Sequence, residues 1–323
     1  MKLSLVIPAK NEEDNVLELY KEIKHVLDNA SVYFSKLGSK DLIGSYEIIF
    51  IDDGSTDKTF SKLISIRDKN VKVIKFRKNF GQSASWLAGF DSAKGDVIVT
   101  MDSDLQNDPK DIPRLLVKLE EGYDCVSGWR YKRKDPFFKK IFSRISRFLR
   151  HRLINDGVND SGCSLKAYKK ECLEGIELFG EMHRYIVSLI KIRGFKVGEI
   201  KVRHRPRIRG KTNYKFARLI KGFLDLWNIW FWQKFSSRPL HLFGFLGILG
   251  ILFGFVTGSY SIYLRLFNGV DLSDTFLPVV AVFSFMVGIQ LLVSGILGDA
   301  IMKCYNKVKH KKGYEINRIV ENK

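Results

Sequence analysis

Two stretches toward the carboxyl end, Leu242–Leu264 and Phe276–Gly298, each run for over twenty residues without a formal charge. At 1.5 Å per residue, a helix of that length crosses the ~30 Å hydrocarbon layer of a bilayer. Lipid offers no partner to backbone N–H and C=O groups, so a helix is the form such a stretch takes there. The loop between the runs holds one Arg and two Asp, whereas Lys and Arg crowd the sequence before Pro239 and after Asp299. Cytoplasmic flanks carry the excess of positive charge. Both flanks are therefore expected on the cytoplasmic side of a two-span anchor. The aromatic stretch Phe223–Trp232, with Trp227, Trp230 and Trp232, suits the headgroup layer. Gly250, Gly254 and Gly258 recur at spacing four, which lets another helix approach closely and equally fits small residues that lipid tolerates.

The remainder reads as a layered α/β domain. Apolar, β-rich runs are expected as strands at Leu3–Pro8, Glu47–Asp52, Val71–Phe76, Val97–Asp102 and Cys125–Gly128. Helical patterns lie between them near Asp14–Asn29, Asp57–Asp68, Gln82–Ala93 and Pro109–Glu121, and Ser31–Ser45 reads as an exposed insertion. Apolar strands alternating with helices give a mostly parallel, Rossmann-like sheet covered on both faces. The expected organisation is 1–218 for this domain, 219–239 for interfacial helices, 240–302 for the anchor and 303–323 for a basic cytoplasmic tail. No cleavable apolar leader is read at the amino terminus.

Ligands of such sheets bind outside the carboxyl ends of the strands, and acidic and small residues gather there. Asp102-Ser-Asp104 follows Val97-Ile-Val-Thr-Met101, so two carboxylates one residue apart sit where a buried strand ends. Hard oxygen ligands of this kind suit Mg²⁺ or Mn²⁺, with a nucleotide diphosphate supplying further oxygens. Alone, Asp-x-Asp also fits a solvated turn. Asp52-Asp-Gly-Ser-Thr-Asp57 fits a turn and helix cap, but a carboxylate such as Asp53 at a strand end also accepts hydrogen bonds from a base N–H. Neither the dinucleotide glycine fingerprint nor the P-loop pattern occurs. His183 and His204 read as structural.

Lys and Arg number 54 against 35 Asp and Glu, a formal net charge of +19. That excess calls for an anionic partner, and the apolar runs favour an acidic membrane leaflet or a phosphorylated substrate over nucleic acid. The basic stretch Lys132–Arg152 fits either a collar on anionic lipid or a solvated helix face. Cys125, Cys163, Cys172 and Cys304 form no C-x-x-C pair, which removes a disulfide framework or zinc site and fits free thiols in a reducing compartment.

Several motifs occur in a fixed order: Val6-Ile-Pro-Ala-Lys-Asn-Glu12, Asp52-Asp-Gly-Ser-Thr-Asp-Lys-Thr59, Asn79-Phe-Gly-Gln-Ser-Ala-Ser-Trp-Leu-Ala-Gly89 and Asp102-Ser-Asp-Leu-Gln-Asn-Asp-Pro109. They continue with Asp160-Ser-Gly-Cys-Ser-Leu-Lys-Ala-Tyr168, Met182-His-Arg-Tyr-Ile186, Arg207-Ile-Arg-Gly-Lys-Thr-Asn-Tyr214 and Gly295-Ile-Leu-Gly-Asp-Ala300. The ordered set, over nearly the whole chain, resembles family 2 glycosyltransferases of the GT-A fold, in particular their polyprenyl-phosphate branch. The resemblance implies a nucleotide pocket lined by Pro8, Lys10, Glu12, Asp53, Gly81 and Asp102, and a metal held by Asp102, Asp104 and Gln106. It implies Arg130, Arg133, Arg207, Lys211 and Tyr214 at the lipid phosphate, and Asp160, Arg130 and Arg207 in catalysis. Asp160 fits a base, or a group that orients an arginine or the sugar. Two positions depart from the pattern: Thr212-Asn213-Tyr214 stands where Ser-Lys-Tyr is usual, and Lys10 stands where an aromatic residue is frequent.

The implied reaction is inverting transfer of a sugar from a nucleotide-sugar, with UDP preferred and GDP second, to a dolichyl or undecaprenyl phosphate. A phosphate monoester has a second pKa near ~6 and is largely ionised at neutral pH, so it attacks without a strong base. Bringing two anions together is the harder task, and arginines with a metal address it. The branch includes tetramers, and the glycine-bearing runs extend that hint of a homo-oligomer here. A catalytically silent membrane scaffold of the same fold is the alternative, though the metal carboxylates are present.

Overall fold

The computed structural model describes residues 1–131, 157–178, 180–206, 231, 239–307 and 316–321. The chain divides into two compact units, Met1–Trp227 with Lys312–Lys323, and Asn228–Lys311.

The first unit is built on an eight-stranded mixed sheet. Its strands are β1 (Lys2–Ala9), β2 (Ser45–Asp52), β3 (Val71–Phe76), β4 (Val97–Thr100), β5 (Cys125–Trp129), β6 (Lys166–Lys169), β7 (Val197–Lys201) and β8 (Ile316–Glu321), in the order β7-β5-β6-β4-β1-β2-β3-β8. The pairs β1–β2, β1–β4, β2–β3 and β5–β7 are parallel. β6 lies antiparallel between β4 and β5, and β8 lies antiparallel on β3. The five strands expected from apolar runs all form, with β4 ending at Thr100. β6, β7 and β8 are additions to that expectation.

Alternation in β1 shows why both faces are covered. Leu3, Leu5 and Ile7 join one buried cluster and Val6 joins the other, as a period of two requires. Helix α1 (Val16–Asp28) buries Val16, Leu19, Ile23, Val26 and Leu27, a stripe at helical spacing. Helix α4 (Gln82–Ser92) covers the opposite face with Trp86, Ala88 and Phe90. Between α1 and β2 the expected exposed insertion is corrected: Ala30–Lys36 forms a short helix, α2, with Phe34 fully buried in the core. The basic tail is likewise corrected, because Ile316–Glu321 is a strand of the sheet.

The second unit contains two long helices, Pro239–Asn268 and Leu277–Lys307. Both are long and apolar enough to cross a membrane, and only 17% of each apolar stretch is buried, unlike a core helix of a soluble domain. They pack as an antiparallel pair. A Cβ on Gly247 would stand 2.6 Å from the Gly288 carbonyl oxygen, and one on Gly254 would stand 2.8 Å from that of Ala281. The glycine face that hinted at a homo-oligomer therefore meets this chain's own second helix, which removes that argument for a second copy. The expected interfacial segment and the basic stretch Lys132–Arg152 fall almost wholly outside the described residues.

An edge strand left open invites pairing with another chain, and β8 covers the open edge of β3. Removing residues 312–323 is expected to lower Tm and raise concentration-dependent aggregation of the detergent-solubilised protein. Light scattering during a thermal melt checks this, and an unchanged melt would deny β8 its stabilising part.

Candidate active site

The site is assembled at the carboxyl ends of β1, β2, β4 and β5. After β1 the chain turns through Asn11, which sits in the left-handed region at φ 53; asparagine tolerates this conformation better than most residues. Its Oδ1 accepts from Thr56 N at 2.9 Å, and its own N–H donates to Ser55 Oγ at 3.0 Å. Glu12 N donates to Thr59 Oγ1 at 2.8 Å. These bonds fasten the loop after β1 to the loop after β2. Pro8 is buried at the end of β1, whereas Lys10 is exposed.

Asp53 is buried, and its carboxylate accepts from Phe80 N at 2.7 Å and from Gly81 N at 3.0 Å. Burial raises its pKa, and the bonds from Phe80 and Gly81 with the charge of Lys10 oppose that rise. Its neighbour Gly54 has φ +63, and a Cβ there would stand 2.5 Å from the Lys78 carbonyl carbon. Only glycine lets the 78–81 loop come this close. Gly81, at φ +90, then starts α4. The next residue, Gln82, donates through Nε2 to Asp102 Oδ1 at 2.7 Å. Asp53 thus reaches Asp102 through one turn of backbone.

Asp102 and Asp104 follow β4. Burial, and next the charge of Asp104, raise the Asp102 pKa to about 6, against the pull of Ser164, Arg130 and Gln82. Leu105, with φ 62, is a bulky residue in the left-handed region, a strained conformation held here by burial of its side chain in the core. No group of three or more His, Cys, Asp and Glu is placed to hold a metal among the described residues. Two close carboxylates that repel each other fit a cation whose other ligands come from a substrate. Gln106 adjoins that pair, its backbone N–H donating to Asp104 Oδ1 at 3.2 Å, while its Nε2 donates to Arg205 O at 3.5 Å and its backbone carbonyl oxygen accepts from Arg205 N at 2.8 Å.

Because β6 runs against β4 and β5, the segment that precedes it arrives beside the ends of both. Arg130, just past β5, forks onto Asp160, with Nε to Oδ2 at 2.7 Å and Nη2 to Oδ1 at 2.9 Å. Its backbone N–H also donates to Asp160 Oδ2 at 3.3 Å. The Asp160 loop is held from β7, where Glu199 accepts from Asn159 N at 2.8 Å, Asn159 Nδ2 at 2.7 Å and Asp160 N at 3.1 Å.

Asp102, Arg130 and Gln82 share a cavity of about 210 Å³ with Trp86, Lys166, His183 and Arg184. Of the expected site residues, the structure brings Asp102, Arg130 and Asp160 together, and places Pro8 at the end of β1 and Glu12, Asp53 and Gly81 on the adjoining loops. Arg133, Arg207, Lys211 and Tyr214 lie outside the described residues. The sequence reading assigned no role to Gln82, Trp86, Lys166, Arg184 or Glu199. The first four stand in quoted motifs, which was the signal available; a lone glutamate on an unrecognised strand offered none.

The glycosyl transferase family 2 profile matches residues 4–176. Dodecaprenyl-phosphate galacturonate synthase of Rhizobium johnstonii is 33% identical over 329 residues, covering 99% of this chain and 94% of its own. Undecaprenyl-phosphate 4-deoxy-4-formamido-L-arabinose transferase of Proteus mirabilis is 32% identical over 324 residues, with the same coverages of 99% and 94%. The chain belongs to glycosyltransferase family 2. Among solved structures, glucosyl-3-phosphoglycerate synthase of Mycobacterium tuberculosis with UDP superposes at a TM-score of 0.53, at 19% identity, over 72% of this chain and 79% of that one. That likeness is one of fold, and it accords with the GT-A architecture.

Two expectations follow. Glu199→Ala frees the 159–160 loop and should lower kcat about 10–100-fold, the scale of an ångström-sized misplacement, with donor KM little changed. Glu199→Gln keeps an oxygen for both backbone N–H groups and should retain most activity; equal loss in both variants would contradict this role. For Asp102, a pKa raised to about 6 from 3.8 favours folding fully below the unfolded value and loses that contribution as pH rises through about 6. Asp102→Asn should therefore raise the metal-free Tm at pH 7.5, and Mn²⁺ affinity of the native chain should fall as pH drops through about 6. Calorimetry and melts across that range check both.

Proposed function

We propose that this glycosyltransferase moves a sugar from a nucleotide-sugar onto the phosphate of a polyprenyl lipid, with inversion at the anomeric carbon. The observation that carries the reading is the meeting of the strand-end pair Asp102 and Asp104 with Arg130 and Asp160, in a chain that also has a membrane-length helical hairpin. The names of the relatives from Rhizobium johnstonii and Proteus mirabilis, both polyprenyl-phosphate enzymes, support the same acceptor.

The nucleotide lies against the loops after β1 and β2, with Pro8, Glu12 and Asp53 about the base and Gly81 near the diphosphate. Asp102 and Asp104 would hold Mg²⁺ or Mn²⁺, which would supply positive charge to the departing nucleoside diphosphate. The Mn²⁺ and UDP-glucose named for a Mycobacterium tuberculosis structure of this fold accord with such a site. Arg130 draws the acceptor phosphate toward the sugar. A phosphate oxygen attacks the anomeric carbon as the bond to the diphosphate oxygen breaks. Asp160 is engaged at both oxygens by Arg130, which favours its orienting role over that of a base. Arg133, Arg207, Lys211 and Tyr214 complete the lipid-phosphate side.

Two helices long and apolar enough to cross a membrane support reading the hairpin as a two-span anchor. Because β8 follows the hairpin yet pairs with β3, the two flanks of the hairpin lie on one side. The Lys and Arg excess makes that side cytoplasmic and draws it to anionic lipid.

The test is radiolabel transfer from a panel of UDP- and GDP-sugars into organic-extractable polyprenyl phosphate, with and without Mg²⁺ or Mn²⁺. Metal-dependent label in the lipid phase, reduced at least about 100-fold in Asp104→Asn, is expected. No label from any donor, while a known synthase succeeds alongside, would overturn the lipid-carrier reading.

A further inference from the structure

Lys166 is the one cation on the cavity wall without an ion pair among the described residues. Arg130 is neutralised by Asp160, and Arg184 pairs with Glu181 at 3.0 Å. Lys166 opens β6, opposite Thr100 of β4 and Ser127 of β5, and is fully buried. Its ammonium donates to the Ser161 carbonyl oxygen at 2.9 Å. An ammonium has three N–H donors, so two remain to be satisfied. The buried thiols nearby supply no charge: burial raises the pKa of Cys163 to about 11 and that of Cys125 further.

Beside it stands a second unsatisfied donor. Trp86 is 1% exposed, and its indole Nε1 has no hydrogen-bond partner among the described residues. The Lys166 Nζ lies 5.9 Å from the Trp86 ring centroid, and both residues line the cavity. Buried donors in native proteins almost always have partners, and a buried charge calls for an opposite one. The cavity, about 210 Å³, is roughly seven times the ~30 Å³ that a water occupies in the liquid. It therefore accommodates a group far larger than a single bridging water. The acidic side chain on the same wall, Asp102, is engaged by Gln82.

We propose that the Lys166 ammonium and the Trp86 indole N–H form an oxyanion subsite in this cavity, which takes a compact oxyacid group of a substrate. Two sources supply that chemistry: the carboxylate of a hexuronyl donor sugar, or the phosphate of the acceptor. The subsite rests on the transfer reading above and narrows it. A neutral pyranose leaves the buried ammonium without a counter-charge, whereas a carboxylate or phosphate supplies one in a water-poor setting.

The experiment uses the full chain in detergent micelles, with Lys166→Met, close in volume, and Trp86→Phe, which removes the indole N–H. Melting curves and calorimetric affinity for UDP with Mn²⁺ establish that each variant is folded with its nucleotide pocket intact. One arm compares UDP-glucuronate with UDP-glucose and UDP-galacturonate with UDP-galactose. A wild-type preference of at least about tenfold for the uronyl donor, falling to within about threefold in Lys166→Met, assigns the subsite to the sugar. The other arm measures the acceptor KM and inhibition by inorganic phosphate; a rise of at least about tenfold in both constants in Lys166→Met assigns it to the phosphate. Folded variants whose donor preference and phosphate constants all stay within about threefold of wild type overturn the subsite. If Lys166→Met fails to fold, Trp86→Phe decides by the same readings. If the wild type transfers nothing, calorimetry of uronyl donor and phosphate binding still separates the two ideas. Binding lost in the variants upholds the subsite while the transfer reading falls, and unchanged binding ends both.

Discussion

An antiparallel strand inserted between two parallel ones brings three distant segments of this chain to one place. β4 and β5 run the same way, so each delivers its following loop, with Asp102 and Arg130, to the same end of the sheet. β6 runs the other way, so the loop before it, with Asp160 and Ser161, reaches that end too. A parallel strand there would carry the Asp160 segment to the opposite edge. The active-site cavity therefore depends first on backbone pairing and only then on side chains.

Side chains then hold the arrangement through a sequence of carboxylates, each occupied by N–H donors. Asp53 fixes the start of α4, and through it Gln82 meets Asp102. Glu199 fixes the 159–160 loop, through which Asp160 meets Arg130. These bonds make the cavity wall stiff on both sides, and stiffness is what lets a site favour a transition state over solvent rearrangement. Asp102 and Asp104 accept N–H donors as well, from Gln82 and from Gln106, but add a conflict of charge. Their charges repel, and the backbone beside them is strained at Leu105. Unbalanced charge and strain at a strand end mark the place where a bound partner changes the energetics most.

Much of this was legible from residues alone. The continuous apolar runs of β1 to β5 and the acidic residues at their ends are local signals, and they gave the parallel half of the sheet and the strand-end carboxylates. β6 was hidden because Lys-Ala-Tyr-Lys has neither β-branched residues nor polar–apolar alternation; its identity as a strand comes from pairing on both sides. β8 was hidden differently: it carries Ile316, Ile319 and Val320, but it lies in a basic tail and its partner β3 lies over two hundred residues earlier in the chain. The α2 helix escaped because its one deeply anchoring residue, Phe34, is surrounded by polar ones. Lys166 shows the harder limit: hydropathy places lysine outside, and only the topology reveals it buried against Trp86. The glycines of the first long helix were legible as a close-contact face, but not the partner, which is the helix that follows.

That internal use of the glycines bears on how such an enzyme meets a lipid. Two helices locked face to face through Gly247, Gly254 and Gly288 form one stiff hairpin, with their large side chains, Phe255 and Phe283 among them, turned outward. In hydrocarbon, where no hydrophobic force drives helices together, close backbone contact is what holds a pair. The sheet is joined to this hairpin at both ends, through residues 228 and 311. On the proposed reading, an anchor in the bilayer lets the enzyme meet its acceptor in the layer where that lipid diffuses, converting a three-dimensional encounter into a local one. Under the proposed reaction, the anchor is then part of the rate as well as of the address. The arginines need only orient an acceptor that the hairpin has already brought within reach.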